Sequence, residues 1–188
     1  MSSWALDQRR KALEEAFFQK QEVAALSKLR EKREREEKCR ELGQQAGVRN
    51  QELLETMIGM GIEAETLAAF MLVPLIAAAW ADERIEEGER DAVLEAAVQS
   101  GIQREGRVYE LLESWLAHQP SPRLMETWVE YAKAVKDQLD PDQQEQLKAS
   151  MLRGIERVAD EARGLLGIGP RLRRREKPIL EQVEAALS

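Results

Sequence analysis

The sequence predicts an all-α protein: a helical bundle of about seven helices in two related hairpin repeats, preceded by a long charged N-terminal helix. Three observations lead there. Ala, Leu, Glu, Arg and Gln, all strong helix formers, dominate the composition. Apolar residues recur at helical spacing in every segment after Asn50. The regular alternation of β-branched residues that marks strands is missing.

Residues from about Ala5 to Leu42 read as one helix, with Leu6, Leu13, Phe17, Ala24 and Leu29 as a thin apolar stripe. The stripe vanishes in "REKREREEKCRE", Arg30 to Glu41. Opposite charges there fall four residues apart, at Arg30–Glu34, Glu31–Arg35, Lys32–Glu36, Arg33–Glu37, Glu34–Lys38 and Glu36–Arg40, each worth about 0.2–0.5 kcal/mol to a helix in water. Two roles are open for this arm, residues 1–48. It is a solvated extension, or it docks a protein partner or a second copy through Phe17 and Phe18. Gly43 and Gly47 punctuate its end.

The domain, residues 49–188, opens with Asn50 capping a short helix that stops at Gly61. An apolar helix follows, from about Ala64 to Ala81. Further helices run from about Glu87 to Ser100, ended by Gly101, and from Glu105 to Ala117, with Val108, Leu111, Leu112 and Trp115 in register. Pro120 and Pro122 mark a sharp loop. Leu124, Trp128, Tyr131, Val135 and Leu139 share the face of the next helix. Asp140–Pro141 is a cap followed by proline at the first helical position, opening a helix with Leu147, Met151, Ile155, Val158 and Ala162. "GLLGIGP" breaks it, and Ile179, Val183 and Leu187 lie on the last helix. The Met and Trp residues lie on these stripes and read as core.

Leu67 to Ala81 carries no charge. As a helix it is about 22 Å long, against roughly 30 Å of membrane hydrocarbon. A buried core helix is the expectation, and a transmembrane role is not. Pro74, in its middle, lacks an N–H and clashes with the carbonyl of Phe70. The expected result is a kinked helix, the alternative a break into two at Val73.

Several function classes find no support. Cys39 and His118 are the single cysteine and histidine; neither a disulfide nor a structural zinc site can be built from them. There is no phosphate loop, no Ser/His/Asp arrangement, and no strand before "GLLGIG" for a dinucleotide fingerprint. We therefore expect no enzyme. The net charge of −7 argues against general nucleic-acid affinity but leaves local basic patches open. The opening "MSSWALDQRRKALEE" has neither an apolar segment nor a cleavage site, so no signal peptide is expected.

"ADERIEEGERDAVLEA", from Ala81, aligns with "IGPRLRRREKPILEQV", from Ile168: Ile85 on Leu172, Glu89 on Glu176, Arg90 on Lys177, Ala92 on Ile179, Val93 on Leu180. Each follows an apolar helix, places an aliphatic residue in a loop and opens a new helix. "VPLIAAAWADERIEEGERDAVLEAAVQSGI" resembles the TerB-like tellurite-resistance family, whose signature is an apolar helix ending in Ala-Asp, an aliphatic residue three positions on, then a helix-opening Glu. "GLLGIGPRLRRREKPIL" is similar to the family's second half. The resemblance covers roughly residues 52–187. It implies an all-helical two-repeat domain, bacterial, cytoplasmic or at the inner face of the membrane, active in stress response and in scaffolding of membrane-associated complexes.

The same resemblance implies that Asp82 and Glu89 could bind a divalent cation, the one cofactor in question. The departures count against it. Gly169 stands where the second repeat would carry its Asp. As a calcium loop from Asp82, the third position is Arg84, the sixth Glu87 and the twelfth Val93. The competing expectation is structural: with helices starting near Glu86 and Arg173, Glu89 and Glu176 each sit at N3 and cap. The basic loop, with Arg171, Arg173, Arg174, Arg175 and Lys177, sits at a helix start, where the dipole disfavours cations. It pairs with the acidic loop 82–91, stays solvated, or contacts an anion, with an anionic membrane surface as the peripheral partner. The reading is a non-enzymatic interaction or scaffold module; the alternative is a metal- or anion-sensing domain using loop 82–91 or 171–177.

Overall fold

The computed structural model describes the backbone of residues 3–166 and 171–188, and side chains outside 1–7, 9–10, 12–16 and 159–175. Among the described residues every regular element is helical: α1 (Ser3–Ala46), α2 (Gln51–Gly59), α3 (Leu67–Phe70), α4 (Val73–Ala79), α5 (Glu87–Gln99), α6 (Arg107–Ala117), α7 (Arg123–Lys136), α8 (Pro141–Leu166) and α9 (Arg171–Leu187), with a 3-10 turn at Ala64–Thr66 before α3. This exceeds the expected count. The apolar segment is not a kinked helix from Ala64 to Ala81 but a 3-10 turn and two helices; the break between the helices is the alternative expected at Val73, and Pro74 is its reason. With no N–H at residue 74, Leu72 donates to Ala69 at 3.0 Å and Leu75 to Leu72 at 3.0 Å, both three-residue steps. The chain tightens and restarts at Val73, with Pro74 in the first turn, where the missing donor costs least.

The restarted helix is dry. Val73, Pro74, Leu75, Ile76, Ala78 and Ala79 are buried, and α4 packs against α5, α7, α8 and α9. No described helix is long and apolar enough to cross a membrane. Around α4 the core gathers Phe70, Met57, Leu112, Trp128, Ile155, Val158 and Val183. Phe70 and Tyr131 meet edge to face, centroids 5.5 Å apart.

Helix ends feed this core. Gly47, Gly61 and Gly101 have positive φ, and the next residue donates back across the end: Val48 to Gly43, Ile62 to Met57 and Ile102 to Ala97, at 3.0–3.1 Å. In this Schellman arrangement the residue after the glycine is apolar and folds inward, and Val48, Ile62 and Ile102 are all buried. The expected caps form as well. Leu53 N–H donates to Asn50 Oδ1 at 3.2 Å. Asp140 and Gln143 exchange reciprocal bonds of 2.8 and 3.1 Å at the start of α8.

The arm is a helix and ends at Ala46, having passed through Gly43. From Phe17 to Lys38 every residue is exposed. Cys39, Leu42 and Ala46 are buried in the domain core, so the last turns of α1 belong to the bundle. Of the six ion pairs expected along the arm, Lys32–Glu36 closes at 3.7 Å between exposed ends. Lys38 instead reaches Glu63 at 2.6 Å and Arg35 the Glu55 carbonyl at 3.3 Å, tying α1 to the bundle.

Candidate functional site

The acidic loop leaves α4 through a tight turn. Trp80 Nε1 donates to the Trp115 carbonyl at 2.8 Å, pinning the end of α4 to α6. Glu83 N–H bonds to the Trp80 carbonyl, and Glu83 itself adopts φ 66°, a left-handed conformation that costs a non-glycine residue about 1–2 kcal/mol. Arg84 N–H then donates to Asp82 Oδ1 at 3.4 Å. Ile85, the aliphatic loop residue, packs on the core, and α5 begins.

Glu89 lies at N3 of α5, as expected, and accepts from the Glu86 N–H at 2.8 Å through Oε2. It is 3% exposed. Burial pushes its carboxyl up to about 7. The Glu86 N–H pulls it back, while Asp82, Glu86 and Glu176 push it further up. Near neutral pH the group is therefore poised between its neutral and charged forms.

Glu176 is 2% exposed and lies close enough to Glu89 to perturb it. Alignment of the two repeats had paired these residues, and the fold brings them together. The predicted N3 position of Glu176 is corrected: α9 runs from Arg171, so Glu176 sits more than a turn inside the helix. Asp82 lies within electrostatic reach of Glu89. Among the described residues no group of three or more His, Cys, Asp or Glu is arranged to hold a metal ion. Glu89 is raised toward its neutral form and already spends an oxygen on Glu86, whereas a hard cation wants several charged oxygens.

Of the basic loop, Lys177 is exposed and pairs with Glu181 at 3.3 Å, one turn along. The side chains of Arg171, Arg173, Arg174 and Arg175 lie outside the described residues.

On the arm, Phe17 (59%) and Phe18 (67%) are exposed, as are Val23, Leu26 and Leu29. The two rings touch edge to face at 6.1 Å. Elsewhere, Cys39 is buried and burial raises its thiol above the ordinary value, away from the thiolate that nucleophilic chemistry needs. Sequence reasoning missed the burial of Glu176 and a cleft lined by Arg157 between α4, α5 and α8. The alignment of Glu176 on Glu89 was the available signal for the first. Nothing in the local pattern around Arg157 marked the second. No family model, no curated protein and no solved structure matches the chain.

Proposed function

We propose that the chain is a non-enzymatic interaction module: a helical domain that presents a long arm for assembly with a protein partner or a second copy. The observation that supports this most directly is the run of exposed apolar side chains on α1, Phe17, Phe18, Val23, Leu26 and Leu29, on a helix whose far end is anchored in the core. Large apolar groups clustered outside a folded domain mark interaction surfaces, and aromatic anchors dominate binding energy at such surfaces. In keeping with the TerB-like resemblance, the setting we propose is a bacterial stress response, in the cytoplasm or at the inner membrane face, with Arg171 to Lys177 as a peripheral contact to anionic lipid.

The test is a pull-down and light-scattering comparison of the full chain with the Phe17→Glu, Phe18→Glu double variant. Both positions are exposed, so the melting temperature should hold while the partner or the self-association is lost. An unchanged set of partners and an unchanged mass would overturn the reading. The second reading, a metal- or anion-sensing domain, draws on Asp82 and Glu176 each lying within electrostatic reach of Glu89. A rise in melting temperature on titration with magnesium or calcium, absent in Glu89→Gln, would favour it.

A further inference from the structure

We propose that the cleft between α4, α5 and α8 binds a small amphiphile, a single carboxylate carried on an aliphatic chain, with Arg157 as its cationic contact. The cleft is a half-open groove of about 620 Å³, inside the roughly 300–1,000 Å³ range of small-molecule sites. Its lining is mixed: Leu72, Leu75 and Met151 are apolar, and Gln99, Ser150 and Arg157 are polar. Leu72 and Leu75 flank the Pro74 restart, so the same break that splits the central helix supplies the apolar wall. Gly154 draws α8 against that wall: a Cβ there would lie 3.2 Å from both Leu75 methyl carbons.

Arg157 is held but incompletely satisfied. One terminal nitrogen donates to Gln99 Oε1 at 2.8 Å and the other to the Ala92 carbonyl at 3.4 Å, so α5 fixes the guanidinium. Its Nε is buried with no acceptor. A guanidinium offers five N–H donors in a fork that matches a carboxylate. Each terminal nitrogen has spent one of its two N–H groups, and a carboxylate in the cleft would accept from those that remain. Arg153 and Glu156 also line the cleft, so its charged side chains sum to one net positive charge. That balance suits a monoanion better than a dianionic phosphate, and the aliphatic wall suits a hydrocarbon chain better than a sugar.

The experiment is calorimetric titration of the full chain with decanoate below its micellar concentration, beside decanol and acetate. Saturable single-site binding of decanoate is expected. Decanol should bind about tenfold more weakly for want of the charge-assisted contact, and acetate not detectably. Arg157→Gln should lower decanoate affinity by about tenfold and leave decanol unchanged. Ser150→Trp, at an exposed position on the rim, should block both ligands with the fold intact, so the proposal stays testable if Arg157→Gln does not fold. Equal affinity for decanoate and decanol, full decanoate binding in Ser150→Trp, or only non-saturating heats would each overturn it.

Discussion

Glu89 is the residue at which stability and pH meet. Its carboxyl titrates near 7 in the fold, above the ordinary value of 4.5, so between those values the folded chain holds a proton that the unfolded chain has released. Stability then falls as pH rises, because the native state is the one binding more protons. This contribution is fully present below about 4.5, is lost progressively as pH climbs through about 7, and is flat beyond. Its size is on the order of 3 kcal/mol. Glu89→Gln keeps an oxygen for the Glu86 N–H without the charge. Melting temperatures measured from pH 5 to 8 should decline for the native chain and stay level for the variant, which becomes the more stable of the two at pH 8. Parallel curves would show that the burial of Glu89 is not felt. A second residue carries local strain: Glu83, at φ 66° and exposed. Glu83→Gly removes the Cβ clash of the left-handed region and should raise stability by about 1 kcal/mol, read from denaturant midpoints. The helix-start role of Glu89 was legible from "IEEGE", since an acid at N3 has a local backbone partner. Its burial was not, because that follows from the packing of α5 against α8, α4 and α6, which no local pattern records.

At the scale of elements, the sequence marked the helices by period and the caps by residue type, and both kinds of signal are local. Asn50 and Asp140 cap where expected. Gly101 ends α5 because its backbone can adopt positive φ and turn Ile102 inward. The failures have a common cause in competition between local signals and packing. Pro74 could kink or break a helix, and the choice fell to a break once the short pieces could be buried on several sides. Gly43 was read as punctuation at the end of the arm, yet α1 passes through it. The reason is contact: a Cβ at Gly43 would stand 2.9 Å from the Val48 carbonyl oxygen and 3.0 Å from Leu54 Cδ1. The glycine lets α1 and α2 close on each other and lets the chain fold back at Val48. Gly43→Ala should therefore cost about 1–3 kcal/mol despite its better helix propensity. Gly59, also helical, has nothing within 4 Å of the added Cβ, and Gly59→Ala should stabilise by up to about 1 kcal/mol. Urea unfolding of the two variants tests the contrast: if both move the midpoint in the same direction, propensity rather than contact governs the α1–α2 corner.

For the whole molecule, the question is where the arm stops and the bundle starts. Composition places the boundary near residue 48, after the last of the charge run. Cys39, Leu42, Ala46 and Val48 are nonetheless core residues, and Lys38 is bound to Glu63. A charged helix hides this in its sequence: small or isolated apolar residues at Cys39, Leu42 and Ala46 give too thin a stripe to stand out beside their charged neighbours, and only the bundle they enter identifies them. The consequence can be measured. Leu42 and Val48 alone represent roughly 3–6 kcal/mol of burial, a large share of the roughly 5–15 kcal/mol by which a domain is stable. A chain beginning at Asn50 should melt far below the full chain or fail to fold, while one beginning at Glu34 keeps those residues and the contacts of Arg35 and Lys38, and should melt within a few degrees of it. Equal melting temperatures for all three would mean that the end of α1 merely rests on the bundle. If instead the chain from Glu34 alone matches the full length, any partner it has lost was held by the exposed part of the arm, around Phe17 and Phe18, and not by a domain damaged in the cutting.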